Sequence, residues 1–336
     1  MLSDEKLLQL YPRRELDAQR RRYRELSAAC EKEYGRKPEH FFSSPGRTEL
    51  GGNHTDHNRG RVIAASIQLD KAAAVVPETG NRVRMVTSGF EEGVDIDLDH
   101  LDPLDEERGS SASLVRGIAA YLKQQGYGIG GWSAYVQSNV AMGSGLSSSA
   151  SIEILIAEIF NSLYNGGTVG VVEKALAGQW AENRYFGKPC GLMDQLACAH
   201  GGIISIDFAD PSSPELTPVD FFFSDHGYSL CILDTGSSHA DLTDDYASIP
   251  REMGCIAHHF GAETLREVDA YTVHSHAKEL RHRCGDRALL RALHFYGEHT
   301  RAGEMVRALE SGDAEKYLEL LRASASSSWR YLQNCI

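Results

Sequence analysis

The chain has 336 residues, room for one large or two ordinary domains that each bury a core. Hydrophobic residues make up 42% and charged residues 24%, which excludes a disordered or fibrous chain and gives a globular one. With 34 Lys and Arg against 47 Asp and Glu, the net charge of -13 excludes a general nucleic-acid or membrane-surface binder, so an anionic substrate must find local basic groups.

The opening stretch MLSDEKLLQLYPRRELDAQRRRYREL is charged throughout, lacks the apolar core of a signal peptide, and no eighteen apolar residues run together anywhere. The expectation is a cytoplasmic protein that spans no membrane. Seven cysteines, odd in number and scattered without a C-x-x-C pair, fit a reduced compartment. Residues 6–34 read as one helix, with Leu7, Leu8, Leu10, Tyr11, Tyr23 and Leu26 on its apolar stripe. SSPGRTELGGNHTDHNRGR (43–61) follows and reads as a tightly turning loop, its glycines bending the backbone around histidines and arginines. RVIAASIQLDKAAAVVPET and NRVRMVTSG have the β-branched, partly alternating look of strands. SASLVRGIAAYLKQQ reads as a helix, and WSAYVQSNV alternates like a half-buried strand.

The loop AMGSGLSS leads from that strand into SASIEILIAEIFNSLYN, where Ile152, Leu155, Ile156, Ile159, Phe160 and Leu163 recur at helical spacing. Gly143 and Gly145 permit close backbone approach. Ser147, Ser148 and Ser149 sit where the helix begins, among free N–H groups at the positive end of its dipole. That is an anion-binding arrangement, with a plain serine N-cap as the simpler alternative. VVEKALAGQWAENRYFG is a further helix stopped by Gly187 and Pro189. A strand at 201–208 and the linker-like PSSPELTP place a domain boundary near Asp210. From about Pro250 onward the pattern is mostly helical.

Three motifs resolve to plainer readings. GYGIGG (126–131) has the dinucleotide spacing, but it lies between a helix and a strand in the wrong order and reads as a turn. Asp234-Thr235-Gly236-Ser237-Ser238 looks like an aspartic protease loop, yet no second D-T-G supplies the carboxylate that must share the proton. His258, His259, His274 and His276 lack a carboxylate or cysteine framework at ligand spacing and read as solvated helix histidines.

Four segments, in order, carry a resemblance. PGRTELGGNHTDHNRG resembles the galactokinase signature GRxNLIGEHTDYNGG, and GSGLSSSAS resembles the second motif of the GHMP kinases. CGLMDQ (190–195) is similar to the galactokinase CGIMDQ segment, and RALHFYGEHTRAGEMVRAL to a later helical region of that family. The resemblance runs from about Pro45 to Trp329. It implies an α+β, two-domain GHMP kinase fold: a ribosomal protein S5 domain 2-like N-terminal domain at 1–209, and a ferredoxin-like domain of helices and sheet at 210–336. The implied activity is ATP-dependent phosphorylation of a hexose at the anomeric hydroxyl, galactose first. Gly143, Ser144, Gly145, Leu146, Ser147, Ser148 and Ser149 would wrap the nucleotide phosphates, with Ser149 and Glu182 on Mg2+. Asp194 would face the sugar C1 hydroxyl with Arg47 beside it, and Asn53, His54, Asp56, Gly191 and Tyr246 would hold the sugar. The partners are a small sugar and ATP, with no nucleic acid or membrane, and a monomer is plausible.

Elementary chemistry agrees. Phosphoryl transfer needs in-line positioning and charge neutralisation, which suits Mg2+, helix N–H groups and an arginine. A carboxylate near the acceptor hydroxyl takes its proton, and a neighbouring arginine keeps that carboxylate ionised.

The chain departs from the family at three points. Asn53 replaces a glutamate placed to accept from the sugar 6-hydroxyl, and an amide donates as well as accepts. His57 replaces a tyrosine. No third glycine-rich motif of the RxxGAGFGGC type follows Asp210, so the sequence reads as C-terminally incomplete. The alternatives are a non-catalytic galactose and ATP sensor, and a sugar 1-kinase with another C6 preference, such as galacturonate.

Overall fold

The structure, a computed structural model, describes residues 2–90, 92–141, 143–233 and 243–334. The D-T-G stretch at 234–238 lies outside them. The chain forms two compact units: unit 1 comprises Met1–Arg47 and Ile67–His200, and unit 2 comprises Thr48–Ser66 and Gly201–Ile336. It therefore passes from one unit to the other three times, where a single boundary near Asp210 passes once.

Unit 1 opens with α1 (Asp4–Leu10) and α2 (Leu16–Tyr34), not the single helix expected over 6–34. Pro12 is the cause, since it has no N–H to donate and drives the preceding residue out of the helical region. Tyr11 accordingly has φ -130° and ψ 147°. Leu7, Tyr11, Tyr23 and Leu26 are buried as the stripe requires, whereas Leu8 and Leu10 are exposed.

The next stretch is also a correction. Residues 43–51, read as loop, belong to a strand, β1 (His40–Gly51), and only 52–60 turn. Gly46 is needed there for close approach, because a Cβ would stand 2.8 Å from the carbonyl oxygen of Leu146.

β2 (Arg61–Pro77), β3 (Arg82–Thr87), β4 (Val94–Asp97), α3 (Ser111–Gln124), β5 (Trp132–Ser138), α4 (Ser148–Tyr164), α5 (Val171–Ala181) and α6 (Met193–His200) follow. The turn at 126–131 between α3 and β5 matches its plain reading. The strands of unit 1 run in the order β4-β3-β5-β2, with β3 and β5 parallel and the other pairs antiparallel. β2 sends alternate side chains to opposite faces. Ala73 and Val75 join a core with Leu114, Ile118, Trp132, Leu155 and Phe160. Ala72, Ala74 and Val76 join a second core with Leu7, Tyr11, Tyr23, Leu26 and Cys30 of α1 and α2.

In unit 2 the first half of β2, Arg61–Ala65, pairs antiparallel with β6 (Ile203–Asp207), which pairs with β7 (Glu215–Val219). The second half of PSSPELTP is thus an edge strand rather than a linker, and Pro218 is tolerated because an edge strand leaves one side without ladder partners. The helices are α7 (Thr243–His259), α8 (Ala270–Ser275), α9 (Ala277–Cys284), α10 (Asp286–Glu310) and α11 (Ala314–Ser327). Leu50, Ile63, Val219, Met305 and Tyr317 form one core, and Ile249, Met253, Leu265, Leu280 and Phe295 another.

Cys255 and Cys284, 29 residues apart, form a disulfide between α7 and α9, which the reading of a reduced compartment does not include. Of the four helix histidines, His259 is not solvated as expected; its side chain is 11% exposed and lies edge-on to Phe260. No helix among the described residues is long and apolar enough to cross a membrane.

Candidate active site

Arg47 ends its segment of unit 1 beside the glycine and serine loop. Its Nε and Nη2 donate to the two oxygens of Asp194, each at 2.7 Å, and its Nη1 donates to the carbonyl of Gly145 at 2.7 Å. A bidentate guanidinium–carboxylate pair is among the stronger polar contacts and fixes both groups in one plane. Ser147 adds a short hydrogen bond from its hydroxyl to Asp194 Oδ2. Ser147 also occupies the left-handed region, φ 57° and ψ 54°, and does not cap α4 with its side chain. Such a conformation costs a non-glycine residue about 1–2 kcal/mol. Its hydroxyl is spent on Asp194, so the first N–H groups of α4 lack a side-chain cap.

A second acidic group lies behind this one. The turn after α5, Glu182–Phe186, is a π-helix ending at Gly187, which has φ 90° and where a Cβ would stand 2.6 Å from Arg108 Nη2. Glu182 and Glu153 are buried, and Gln195 Nε2 donates to both, at 3.2 Å and 3.0 Å. One oxygen of each carboxylate accepts no hydrogen bond, although Lys188 Nζ stands 3.5 Å from that of Glu182. Burial, followed by the charge of Glu182, raises the carboxyl of Glu153 well above the usual range. A buried anionic oxygen without a donor fits a hard divalent cation. Among the described residues no cluster of three or more ligating side chains accompanies it.

Unit 2 carries a different constellation. At Gly52, φ 90°, a Cβ would stand 2.4 Å from the carbonyl oxygen of Arg61, so the turn requires glycine. Thr55, fully buried, donates to the carbonyls of Gly52 and Arg61 and closes the loop. Asn53 Nδ2 donates to Ser328 Oγ at 2.8 Å, and the backbone carbonyl of Asn53 accepts from His294 Nε2 at 2.9 Å. That bond makes Nε2 the protonated nitrogen of a neutral His294, so Nδ1 accepts from Ser327 Oγ at 2.8 Å. Glu298 Oε1 accepts from the Gly52 N–H and from Ser324 Oγ, while Oε2 pairs with Arg301. His54, φ 57°, packs its ring 5.8 Å from that of Tyr246. Burial pushes His54 down to about 4 despite the nearby Asp56.

Of the residues expected to act, Arg47, Asp194 and Ser147 are brought into contact in unit 1, with Ser149 in the first turn of α4 and Glu182 buried after α5. Asn53, His54, Asp56 and Tyr246 fall in unit 2, and Gly191 in unit 1, three residues before Asp194. Sequence reasoning missed Glu153, Gln195, His294, Glu298 and Ser328. One signal lay in the RALHFYGEHTR helix, where His294 and Glu298 are four apart, hence on one face.

The galactokinase galactose-binding signature matches residues 29–77, and the GHMP kinases N terminal domain matches residues 109–202. A galactokinase of Actinobacillus pleuropneumoniae serotype 5b (strain L20) is 32% identical over 303 residues, covering 88% of this chain and 75% of its own. A galactokinase of Ligilactobacillus salivarius (strain UCC118) is 30% identical over 299 residues, covering 87% and 75%. The crystal structure of Lactococcus lactis galactokinase complexed with galactose superposes with a TM-score of 0.75 at 24% identity, over 92% of this chain and 80% of that one.

Proposed function

This chain belongs to the galactokinase family, and we infer from that premise how its residues serve the ATP-dependent phosphorylation of galactose to galactose 1-phosphate. The contact of Asp194 with Arg47 and Ser147, beside the glycine loop, is the observation that carries the reading. The anomeric oxygen attacks the γ-phosphorus, the bond from that phosphorus to the β-bridging oxygen breaks, and ADP leaves with the electron pair. The C1 hydroxyl proton passes to Asp194. Arg47 and the Ser147 hydroxyl hold in place the carboxylate that accepts it.

The uncapped N-terminus of α4 and the N–H groups of the loop 143–149 bind phosphate oxygens. Ser149 and Glu182 would hold Mg2+, which neutralises charge on the transferred phosphoryl group. Glu153 and Gln195 orient Glu182. Within unit 2, Asn53, His54, Asp56 and Tyr246 offer polar groups to sugar hydroxyls, and a neutral His54 serves as either donor or acceptor.

The test is a coupled ADP-release assay across hexoses and uronic acids, with the product site located by phosphorus NMR. Galactose-dependent ADP release with phosphate on C1 is the expected result. Binding of ATP and galactose without turnover would overturn the catalytic reading.

A further inference from the structure

Lys71 is a charged residue on an inward face of β2. It shares the parity of Ala73 and Val75, which pack with α4, and is only 6% exposed. Its neighbour Asp70 points to the opposite face, where Tyr11 and Ser43 donate to it at 2.5 Å each and Arg22 at 2.6 Å. Adjacent opposite charges are thereby kept apart by the pleat. The ammonium of Lys71 makes no hydrogen bond or ion pair with a described residue, and burial alone pushes it down to about 8.

Its place in the sheet says what it serves. Lys71 is directly opposite Ser138, the last residue of β5, after which the chain runs through Asn139 and Val140 toward the glycine loop. Asn139 N–H donates to the carbonyl of Asp70 at 2.8 Å and fixes that exit. Ile67, two pleat repeats back on the same face, lies with Val140 and Leu146 around Gly46: their nearest atoms are 3.2, 3.2 and 2.8 Å from the point a Cβ would occupy. The face that carries Lys71 is therefore the one against which the loop folds. Lys71 is more than nine-tenths buried as a residue, and desolvating a charge costs stability unless an anion meets it. The loop leads into the 17-residue α4, whose N-terminus no side chain caps.

We propose that Lys71 is a phosphate ligand of the nucleotide site in unit 1, supplying the positive charge that neither Arg47, committed to Asp194, nor the helix end alone provides. The proposal rests on reading the loop as the ATP site. Lys71→Met keeps the stem and removes the charge. Isothermal titration of ATP, ADP and adenosine, with thermal melts of the ligand-free protein, separates the two ideas. Failure of the unaltered protein to bind ATP would reject the nucleotide site itself. With that binding present, Lys71→Met weakens ATP and ADP about tenfold or more, the loss of one charge-assisted contact. Adenosine affinity stays within about twofold, and the melting temperature equals or exceeds the parent's, since an unpaired buried charge is gone. Unchanged ATP affinity, an equal loss on adenosine, or a variant that melts earlier or does not fold would each overturn the role of Lys71. The last would mean that the protein itself partners the ammonium.

Discussion

Around Asp194, unit 1 sets a carboxylate, a guanidinium and a hydroxyl in direct contact, whereas unit 2 holds the loop 52–60 largely with an amide, imidazoles and hydroxyls, with a buried ion pair, Glu298–Arg301, standing behind the Gly52 N–H. The first arrangement depends on which groups are charged, and its failure registers in chemistry. The second depends on neutral groups staying neutral and packed, so its failure registers first in stability and selectivity.

The hardest break of that contrast is Asp194→Asn, which leaves size and hydrogen-bonding capacity nearly intact and removes the proton acceptor. Turnover falls by about two orders of magnitude or more, while the ATP dissociation constant barely moves. Single-turnover rates alongside titrations of ATP make the check, and a rate within a few-fold of the parent rejects the assignment.

Unit 2 is broken by acid instead. His54 is held to about 4 against an ordinary value of 6.5, so between those values the unfolded chain binds a proton that the folded chain refuses. Stability from this source is complete above pH 6.5 and declines as pH falls toward 4, by about 2 kcal/mol at pH 5. Thermal melts at pH 7 and 5 measure it. His54→Asn, which tolerates the left-handed backbone, shrinks the difference; an equal fall in parent and variant places the effect elsewhere, with buried His294 the next residue to test.

Glu182→Gln sharpens the comparison inside unit 1, because it removes charge from the oxygen that has no donor. The Mg2+ midpoint of the phosphoryl-transfer rate rises about tenfold, as a neutral oxygen is a poorer ligand for a hard cation. An unmoved titration takes Glu182 out of the metal site. The smallest effect is at Asn53. One of its two amide hydrogens is already given to Ser328, leaving the other and the carbonyl oxygen to read C6. Asn53→Glu shifts the kcat/KM ratio of galactose to galacturonate by several-fold toward galactose, through like-charge repulsion. Equal ratios for galactose, 6-deoxygalactose and galacturonate in parent and variant would remove Asn53 from C6 recognition.

Unit 1 was the more legible in sequence because its contacts hang on short motifs: a glycine and serine run before a helix, and an arginine and an aspartate each inside a recognisable segment. Glu153 was legible in principle, since it falls one turn from Ile156 and Ala157 on a helix whose face is otherwise apolar. Lys71 breaks the inward alternation of β2 in the same way. The hydrogen bonds of Asn53 to Ser328 and His294 join residues 275 and 241 positions apart, and no local pattern announces such a pairing. Tyr11 and Pro12 show the converse: a stripe at helical spacing crossed a proline, and the backbone obeyed the proline.

Ser147 has a consequence for the way this protein yields to selection. Its left-handed backbone suits glycine, so replacing it stabilises the fold by relieving that conformation while taking the hydroxyl from Asp194. A library screened for heat resistance would enrich Ser147→Gly, and the same library screened for galactose phosphorylation would discard it. At this codon the survivors of the two screens part.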